Sequence, residues 1–206
     1  MIEGQVVDGL FVLSRTRQIE LDRAKQERNC VLKLGYSAVR KIDTDYDVSG
    51  KCNHGTITGA TWVRLPSGLW VPSFDGDDSV NCGDAANLNF ERTDLFSIKT
   101  WLYFDDAGVT REVLFKALVA GNLTGYGLRR TDTNLFNFYL TSVWNTNGIS
   151  VNIPTGVITA TWKMVTITYD GSSIAAGVSI YINDVLGTKS VAVNNLTTST
   201  QSATSL

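Results

Sequence analysis

The 206-residue chain is poor in the residue types that stabilise small secreted proteins or perform most enzyme chemistry. It has three cysteines, three prolines and one histidine, whereas glycine occurs 18 times. An odd number of cysteines cannot form a complete disulfide framework, so we expect Cys30, Cys52 and Cys82 to be reduced thiols. The alternative is a Cys52–Cys82 bridge. The one histidine, His54, is not accompanied by a Gly-x-Ser-x-Gly motif, which argues against a serine hydrolase.

Charge of one sign and long apolar runs are also missing. The net charge is -2, from 18 Lys and Arg against 20 Asp and Glu, so no basic field is present to hold nucleic acid phosphates. No run of about 18 apolar residues occurs, so no membrane span is predicted. The first 18 residues lack a basic start and a long apolar stretch, which predicts no secretory signal.

Most of the chain alternates apolar and polar residues, as β-strands do. In residues 95–104 the alternation places Phe96, Ile98 and Leu102 on one face. Comparable runs occupy residues 30–37, 55–63, 112–121, 125–130, 134–141, 161–170 and 177–193. Asn183-Asp184 divides the last run and predicts a hairpin turn. Because no second helical pattern interrupts these runs, the sequence predicts an all-β antiparallel sandwich.

The two ends of the chain have a different composition. Residues 15–28 are rich in charge and in helix-forming residues, with a thin apolar stripe at Ile19, Leu21 and Ala24. A helix this short needs a partner surface, so we expect residues 1–29 to be a partly helical arm that lies on its own domain or docks onto another subunit. Residues 197–206 are small, uncharged and rich in Ser and Thr, which predicts a linker or a truncated end.

Six segments occur in the order found in the laminin G-like family, a group of concanavalin A-like jelly-roll sandwiches. They are residues 47–62, 73–83, 96–104, 125–130, 161–171 and 178–186. The chain resembles this family, which implies a jelly-roll β-sandwich over residues 30–196. The acidic and apolar strand that usually ends the family's domain is not found before Leu206. The late hairpin has Asn183-Asp184 where the family usually has Asn-Gly.

The resemblance also implies a structural calcium ion near two turn-rich segments. On that basis Asp47, Asn53 and Asp75 are the expected ligands, because calcium prefers carboxylate and carbonyl oxygens. The alternative is that these residues are turn residues that bond their own backbone.

Aromatic residues in polar loops are the candidate ligand-binding residues. Trp144 is followed by Asn145 and Asn147, and sugars stack on exposed aromatic rings while amides bind their hydroxyls. Trp70 lies in a similar loop setting. Trp101 and Trp162 fall within predicted strands and are expected in the core.

The family's fold also hosts glucanases, which use two carboxylates on one strand. No such motif occurs among the five glutamates, so we expect a non-enzymatic module. The favoured hypothesis is a bacteriophage virion component, made in the host cytoplasm, that assembles with other subunits through residues 1–29 and binds a surface glycan. A fragment of a secreted bacterial adhesin, or a carbohydrate-binding module of a carbohydrate-active enzyme, is the alternative.

Overall fold

The computed structural model describes residues 4–7, 10–13, 29–35, 43–118, 123–156 and 159–201. The strands in this part of the chain are β1 Gly4–Val7, β2 Leu10–Leu13, β3 Thr44–Asp45, β4 Gly55–Thr58, β5 Thr61–Arg64, β6 Trp70–Ser73, β7 Ser79–Asn81, β8 Leu95–Leu102, β9 Arg111–Leu118, β10 Thr124–Arg130, β11 Leu135–Val143, β12 Asn147–Pro154, β13 Lys163–Asp170, β14 Val178–Ile182, β15 Val185–Leu186 and β16 Ser190–Asn194. Single 3-10 turns lie at Ala86–Leu88 and Ala175–Gly177.

Two antiparallel sheets form the sandwich. The five-stranded sheet has the order β16-β12-β11-β10-β9, and the four-stranded sheet has the order β15-β14-β13-β8. Smaller sheets, β3-β4-β7 and β5-β6, come from the segment that precedes β8. The prediction of an all-β antiparallel sandwich is therefore confirmed.

The core lies between the two large sheets because every second residue of their strands is apolar. Phe136, Phe138 and Leu140 of β11 meet Ile167 of β13 and Ile180 of β14 there, and all five are fully buried. Burial of each such side chain contributes about 1.5–3 kcal/mol. The alternation in β8 follows the prediction, since Phe96 belongs to this core.

A buried cation sits at the edge of this core. Arg130 has 0% of its surface exposed, and its guanidinium lies 4.4 Å from the centroid of the Phe104 ring. Its Nη2 donates to Oδ1 of Asp106 and to the carbonyl of Val109, each at 2.8 Å, and its Nη1 donates to the carbonyl of Asp106 at 2.7 Å. The arginine thereby fixes the loop that joins β8 to β9.

The late hairpin confirms the turn predicted at Asn183-Asp184. Both residues have positive φ, 51° and 63°, as the tight turn between β14 and β15 requires. The Asn183 side chain also accepts a hydrogen bond from the backbone N–H of Met164, which ties the turn to β13. Asp184 stands where the family usually has glycine, and aspartate, like asparagine, tolerates this backbone conformation.

The strand predicted at residues 30–37 is wrong over residues 30–35, which form no strand. Their backbone donors bond aspartate side chains instead of another strand. The N–H of Lys33 donates to Asp47 Oδ1 at 2.9 Å, and the N–H of Gly35 donates to Asp45 Oδ2 at 3.1 Å. Side-chain acceptors have thus taken the place of a sheet partner.

The expectation that Trp101 and Trp162 lie in the core is also wrong. Trp101 is 57% exposed on the outer face of the four-stranded sheet, and Trp162 is partly exposed beside Tyr103, with ring centroids 5.4 Å apart. Trp101 shares its face of β8 with Ser97 and Lys99, whereas the core takes the other face. Trp101 is exposed because strand alternation places it on the outer face, although its side chain is large and apolar.

The arm is only partly described. Its first residues form an antiparallel hairpin of β1 and β2, which pair with one another and with no other described strand. The helix predicted within residues 15–28 lies outside the described residues. The three cysteines are free thiols, as expected, and burial raises the pKa of Cys82 to about 11. No helix in the described ranges has the length and apolar character to cross a membrane.

Candidate functional site

The outer face of the five-stranded sheet, which points away from the core, carries polar and aromatic side chains together with glycines. Strand register places the following residues on this face: Glu112 and Phe115 of β9, Gly125, Gly127 and Arg129 of β10, Asn137, Tyr139 and Thr141 of β11, Gly148, Ser150 and Asn152 of β12, and Val193 of β16. Four of these side chains are buried although they lie on the outer face: Asn137, Tyr139, Thr141 and Ser150. Polar side chains on a face that only meets solvent are usually exposed.

A hydrogen-bonded row of polar side chains crosses this face. Arg129 Nε donates to Asn137 Oδ1 at 3.0 Å. Asn137 Nδ2 in turn donates to Ser150 Oγ at 2.9 Å and to Asn152 Oδ1 at 2.8 Å. Because Asn137 is only 2% exposed, these bonds are shielded from water and hold the row in one geometry.

Trp144 lies at the end of this row, in the turn between β11 and β12. Its ring meets the ring of Tyr139 edge to face, with centroids 5.4 Å apart. The guanidinium carbon of Arg129 lies 4.9 Å from the Trp144 ring centroid and 5.8 Å from that of Tyr139. Three side chains from two strands and a turn thus form one cluster, which we call the Trp144 cluster.

Gly127 makes room for this cluster. A Cβ at that position would lie 2.3 Å from Tyr139 Oη, so the tyrosine ring lies directly across the glycine. Burial raises the pKa of Tyr139, with a further contribution from the charge of Glu112. Tyr139 is therefore a neutral phenol at physiological pH.

A shallow depression adjoins the cluster. It is lined by Thr141, Trp144, Asn145, Gly148, Ile149, Ser150 and Val193. Two of the predicted ligand-binding residues, Trp144 and Asn145, thus border the same depression. Asn145 is exposed and has a φ of 60°, which the tight turn requires. The depression places an aromatic ring beside an amide and two hydroxyl groups.

Asn147, the third predicted ligand-binding residue, is engaged by the chain itself. Its Oδ1 accepts hydrogen bonds from the backbone N–H groups of Thr197 and Thr198, and its Nδ2 donates to Thr197 Oγ1. Its side chain therefore holds the segment that follows β16.

That segment, residues 195–201, lies against the sandwich, and we call it the C-terminal strap. The backbone N–H of Thr200 donates to Glu91 Oε1 at 3.2 Å, Ser199 Oγ donates to Glu91 Oε2, and Thr200 is buried. Desolvation acts to raise the pKa of Glu91, but these hydrogen bonds outweigh it and the pKa is lowered. Residues 197–201, predicted as linker from composition, are thus docked by side-chain hydrogen bonds.

Trp70, the fourth predicted ligand-binding residue, lies in a different part of the fold. It begins β6 and pairs with Arg64 of β5 in a separate two-stranded sheet. The ring is half-buried. The structure therefore groups Trp144 with Asn145 and places Trp70 elsewhere.

Asp47, a predicted calcium ligand, has its carboxylate oxygens occupied by protein donors. Oδ1 accepts from the N–H groups of Lys33 and Ser49, both at 2.9 Å, and Oδ2 accepts from Ser49 Oγ at 2.8 Å and the N–H of Asn53 at 3.0 Å. Desolvation acts to raise the pKa of Asp47, but these bonds lower it overall. A carboxylate with about four acceptor positions has none left for a metal ion here.

Asn53 and Asp75, the other two predicted calcium ligands, have different surroundings. Asn53 is buried, and its Nδ2 donates to the carbonyl of Val31 and to Asn87 Oδ1. Asp75 groups with Asp77 and Asp78, and carboxylate oxygens of the three lie within 4.8 Å of one another.

Hydrogen bonds link the carboxyl groups of this acidic group. The side-chain hydrogen bond to Asp77 lowers the pKa of Asp75, and the same bond raises the pKa of Asp77. The chemistry of this acidic group fits a hard cation, whereas the surroundings of Asp47 do not.

Arg129, Asn137 and Tyr139 were not predicted as site residues. One signal was available in residues 125–130, where Gly125, Gly127 and Arg129 alternate with apolar Tyr126 and Leu128. Two glycines and an arginine on the non-core face of a strand leave space for side chains from the neighbouring strands. Which side chains fill that space depends on the register of β10 with β11.

Comparison with known proteins gives a family assignment. Residues 74–206, well over half of the chain, match the laminin G 3 family model, which is described as the concanavalin A-like lectin/glucanases superfamily. Searches of curated proteins and of solved structures found no match. The matched residues include both large sheets and the Trp144 cluster. The chain belongs to the concanavalin A-like lectin/glucanases superfamily.

Proposed function

We propose that this protein is a non-catalytic carbohydrate-binding module, whose ligand binds at the Trp144 cluster and the adjoining depression. The observation that carries the proposal is the placement of the Trp144 ring beside Asn145 and the hydroxyl groups of Thr141 and Ser150. An aromatic ring offers a stacking surface for the apolar face of a sugar, and the polar groups suit its hydroxyls. Membership of a superfamily that contains lectins agrees with this chemistry.

The superfamily also contains glucanases, so the acids near the site matter. Glycoside hydrolysis requires a pair of carboxyl groups about 5–9.5 Å apart across the scissile bond. Among the described strand residues of the outer face, Glu112 is the only acid. A single carboxyl group does not provide the pair that hydrolysis requires, and this favours a binding function.

Replacing Trp144 with alanine is expected to lower glycan affinity at least tenfold, because the variant loses the stacking surface. The matched control is Trp101→Ala, which removes an exposed tryptophan from the outer face of the other sheet. Binding of the full chain and both variants is measured on a glycan array and then by titration calorimetry with the best glycan. Unchanged binding by Trp144→Ala, or loss of binding only in Trp101→Ala, would contradict the proposed site.

Calcium remains a prediction, and the same array tests it in the presence and absence of a chelator. Loss of binding on chelation would support a calcium requirement and direct attention to Asp75 and its two acidic neighbours. Binding that survives chelation would remove calcium from recognition.

We further propose that the sandwich is displayed on a bacteriophage particle and docked there by residues 1–29, as part of an oligomer or larger assembly. Two observations support an external partner for this arm. Its charged segment has too thin an apolar stripe to be stable alone. In addition, β1 and β2 form a hairpin that pairs with no described strand of the sandwich.

Deletion of residues 1–29 is expected to abolish incorporation into particles while leaving glycan binding intact, because the two functions would reside in separate segments. Incorporation is measured by immunoblotting of purified particles, with the full-length chain as control. Equal incorporation of the two chains would rule out the docking role. A secreted adhesin, or a module of a carbohydrate-active enzyme, would show the same dependence on Trp144 and no incorporation of either chain.

A further inference from the structure

We infer that the glycan bound at the Trp144 cluster carries a carboxylate and that Arg129 recognises it. This inference rests on the proposed function and specifies its ligand class: sugars such as uronic or sialic acids rather than neutral sugars. It derives from the unused hydrogen-bonding capacity of Arg129, from the rigidity of its support and from the position of Glu112.

The guanidinium of Arg129 has donors to spare. An arginine side chain offers five N–H donors. Of those of Arg129, only Nε donates a hydrogen bond to a described residue, and its acceptor is Asn137. Nη1 lies 3.8 Å from Glu112 Oε1, which is an ion pair without hydrogen-bond contact. Four N–H groups therefore remain for a ligand, at a side chain that is 26% exposed.

The support of Arg129 holds the guanidinium in place. Asn137 accepts from Nε and is itself fixed by bonds to Ser150, Asn152 and the carbonyl of Val151. The guanidinium also lies against the ring of Trp144. A planar, preorganised fork of this kind matches the geometry of a carboxylate, which accepts two parallel N–H bonds from it.

The position of Arg129 puts a ligand at Trp144 within its reach. The guanidinium carbon lies 4.9 Å from the Trp144 ring centroid, a distance comparable with the size of a sugar ring. A pyranose that contacts the tryptophan can therefore present a carboxylate substituent to the free N–H groups. A hydroxymethyl group at the same position offers no charge and cannot accept two parallel bonds from the guanidinium.

Glu112 acts as an internal competitor for the same cation. Its carboxylate lies on the neighbouring strand, 40% exposed and close enough to attract Arg129 without bonding it. A ligand carboxylate forms the short bonds that Glu112 does not. Removal of the Glu112 charge should therefore strengthen the binding of acidic sugars and leave neutral sugars unaffected.

The test compares ligands that differ only in the carboxylate. Methyl glucuronide is paired with methyl glucoside, and N-acetylneuraminic acid is paired with its methyl ester. Affinities are measured by NMR titration for the full-length protein and for Arg129→Gln, Arg129→Lys and Glu112→Gln. Thermal unfolding of each variant confirms that it is folded.

The protein should prefer the acidic member of at least one pair by tenfold or more, and this preference should weaken with added salt. Arg129→Gln should lose the preference, because it lowers the affinity for the acidic member far more than the affinity for the neutral member. Arg129→Lys keeps the charge without the fork and should retain only part of the preference, whereas Glu112→Gln should increase it. If Arg129→Gln does not fold, the preferences of Arg129→Lys and Glu112→Gln for the acidic sugar still test the inference.

Three negative results are distinguishable. Equal affinity for both members of every pair, with binding that depends on Trp144, would overturn the carboxylate inference and leave the proposed function intact. The same holds if Arg129→Gln weakens acidic and neutral sugars equally, since that pattern belongs to a purely structural role. Absence of binding to any sugar would overturn both the inference and the proposed function.

Discussion

Replacing Asp106 with alanine is expected to lower the free energy of unfolding by about 3 kcal/mol, the lower end of the range for breaking a buried ion pair. The variant leaves the fully buried guanidinium of Arg130 without its counter-charge. The carbonyls of Asp106 and Val109 still accept from Arg130, which keeps the loss at this lower end. Arg111 also loses the ion pair that it makes with Asp106 Oδ2.

The adjacent Asp105 provides the matched control. It is an exposed aspartate of the same loop, so Asp105→Ala is expected to change stability by no more than about 0.5 kcal/mol. Both variants are compared with the unchanged protein by urea unfolding. Similar losses in the two variants would mean that the loop, and not the charge on Arg130, determines the effect.

The same pair has a consequence for acid stability. The hydrogen bond from Arg130 is the main reason why the pKa of Asp106 is lowered. A carboxyl whose pKa is lowered on folding stabilises the native state above its unfolded pKa and loses this contribution as the pH falls towards the folded value. The stability difference between the protein and Asp106→Ala should therefore shrink below about pH 4. A difference that is constant down to pH 2 would contradict this account.

Replacing Gly125 with alanine is expected to lower the free energy of unfolding by about 3 kcal/mol or more. A Cβ there would lie 2.0 Å from the carbonyl oxygen of Lys116 and 2.6 Å from Cα of Ala117, so β9 and β10 must move apart. Overpacking of this kind costs about 1–3 kcal/mol. The φ of 138° adds a further backbone cost of about 1–3 kcal/mol for a residue with a side chain.

Gly35→Ala separates the two contributions. Gly35 has a φ of 123°, but a Cβ there meets nothing within 4 Å. Gly35→Ala therefore has the backbone cost without the steric cost. It should lower the free energy of unfolding, measured with urea, clearly less than Gly125→Ala does. Equal losses would show that the approach of β9 to β10 tolerates a methyl group.

The sandwich could be predicted from the sequence because its core takes every second residue of long strands. Phe96 lies where alternation placed it, and Phe138 and Ile167 of other strands belong to the same core. The prediction of a strand at residues 30–37 failed over residues 30–35 because alternation does not show which groups accept the backbone hydrogen bonds. There the backbone N–H groups of Lys33 and Gly35 donate to aspartate side chains that are 14 and 10 residues away, respectively.

The candidate site could be predicted only in part. Residue type was enough to single out Trp144 and Asn145, because an aromatic residue among amides in a turn is visible in the sequence. Arg129 and Tyr139 could not be found in this way, since they meet only through the register of β10 with β11. Asp47 shows the opposite error, in which a plausible metal ligand is used up by local hydrogen bonds.

The C-terminal strap gives the domain a closed topology. Glu91 and Thr200, which are 109 positions apart, are joined by a hydrogen bond. All nine strands of the two large sheets, from β8 to β16, lie between these residues and so belong to one loop that the strap closes. The strands described before Glu91, β1 to β7, are not part of this loop. Asn147, which follows the turn that carries Trp144, bonds the strap, so the site lies next to the point where this loop of chain closes.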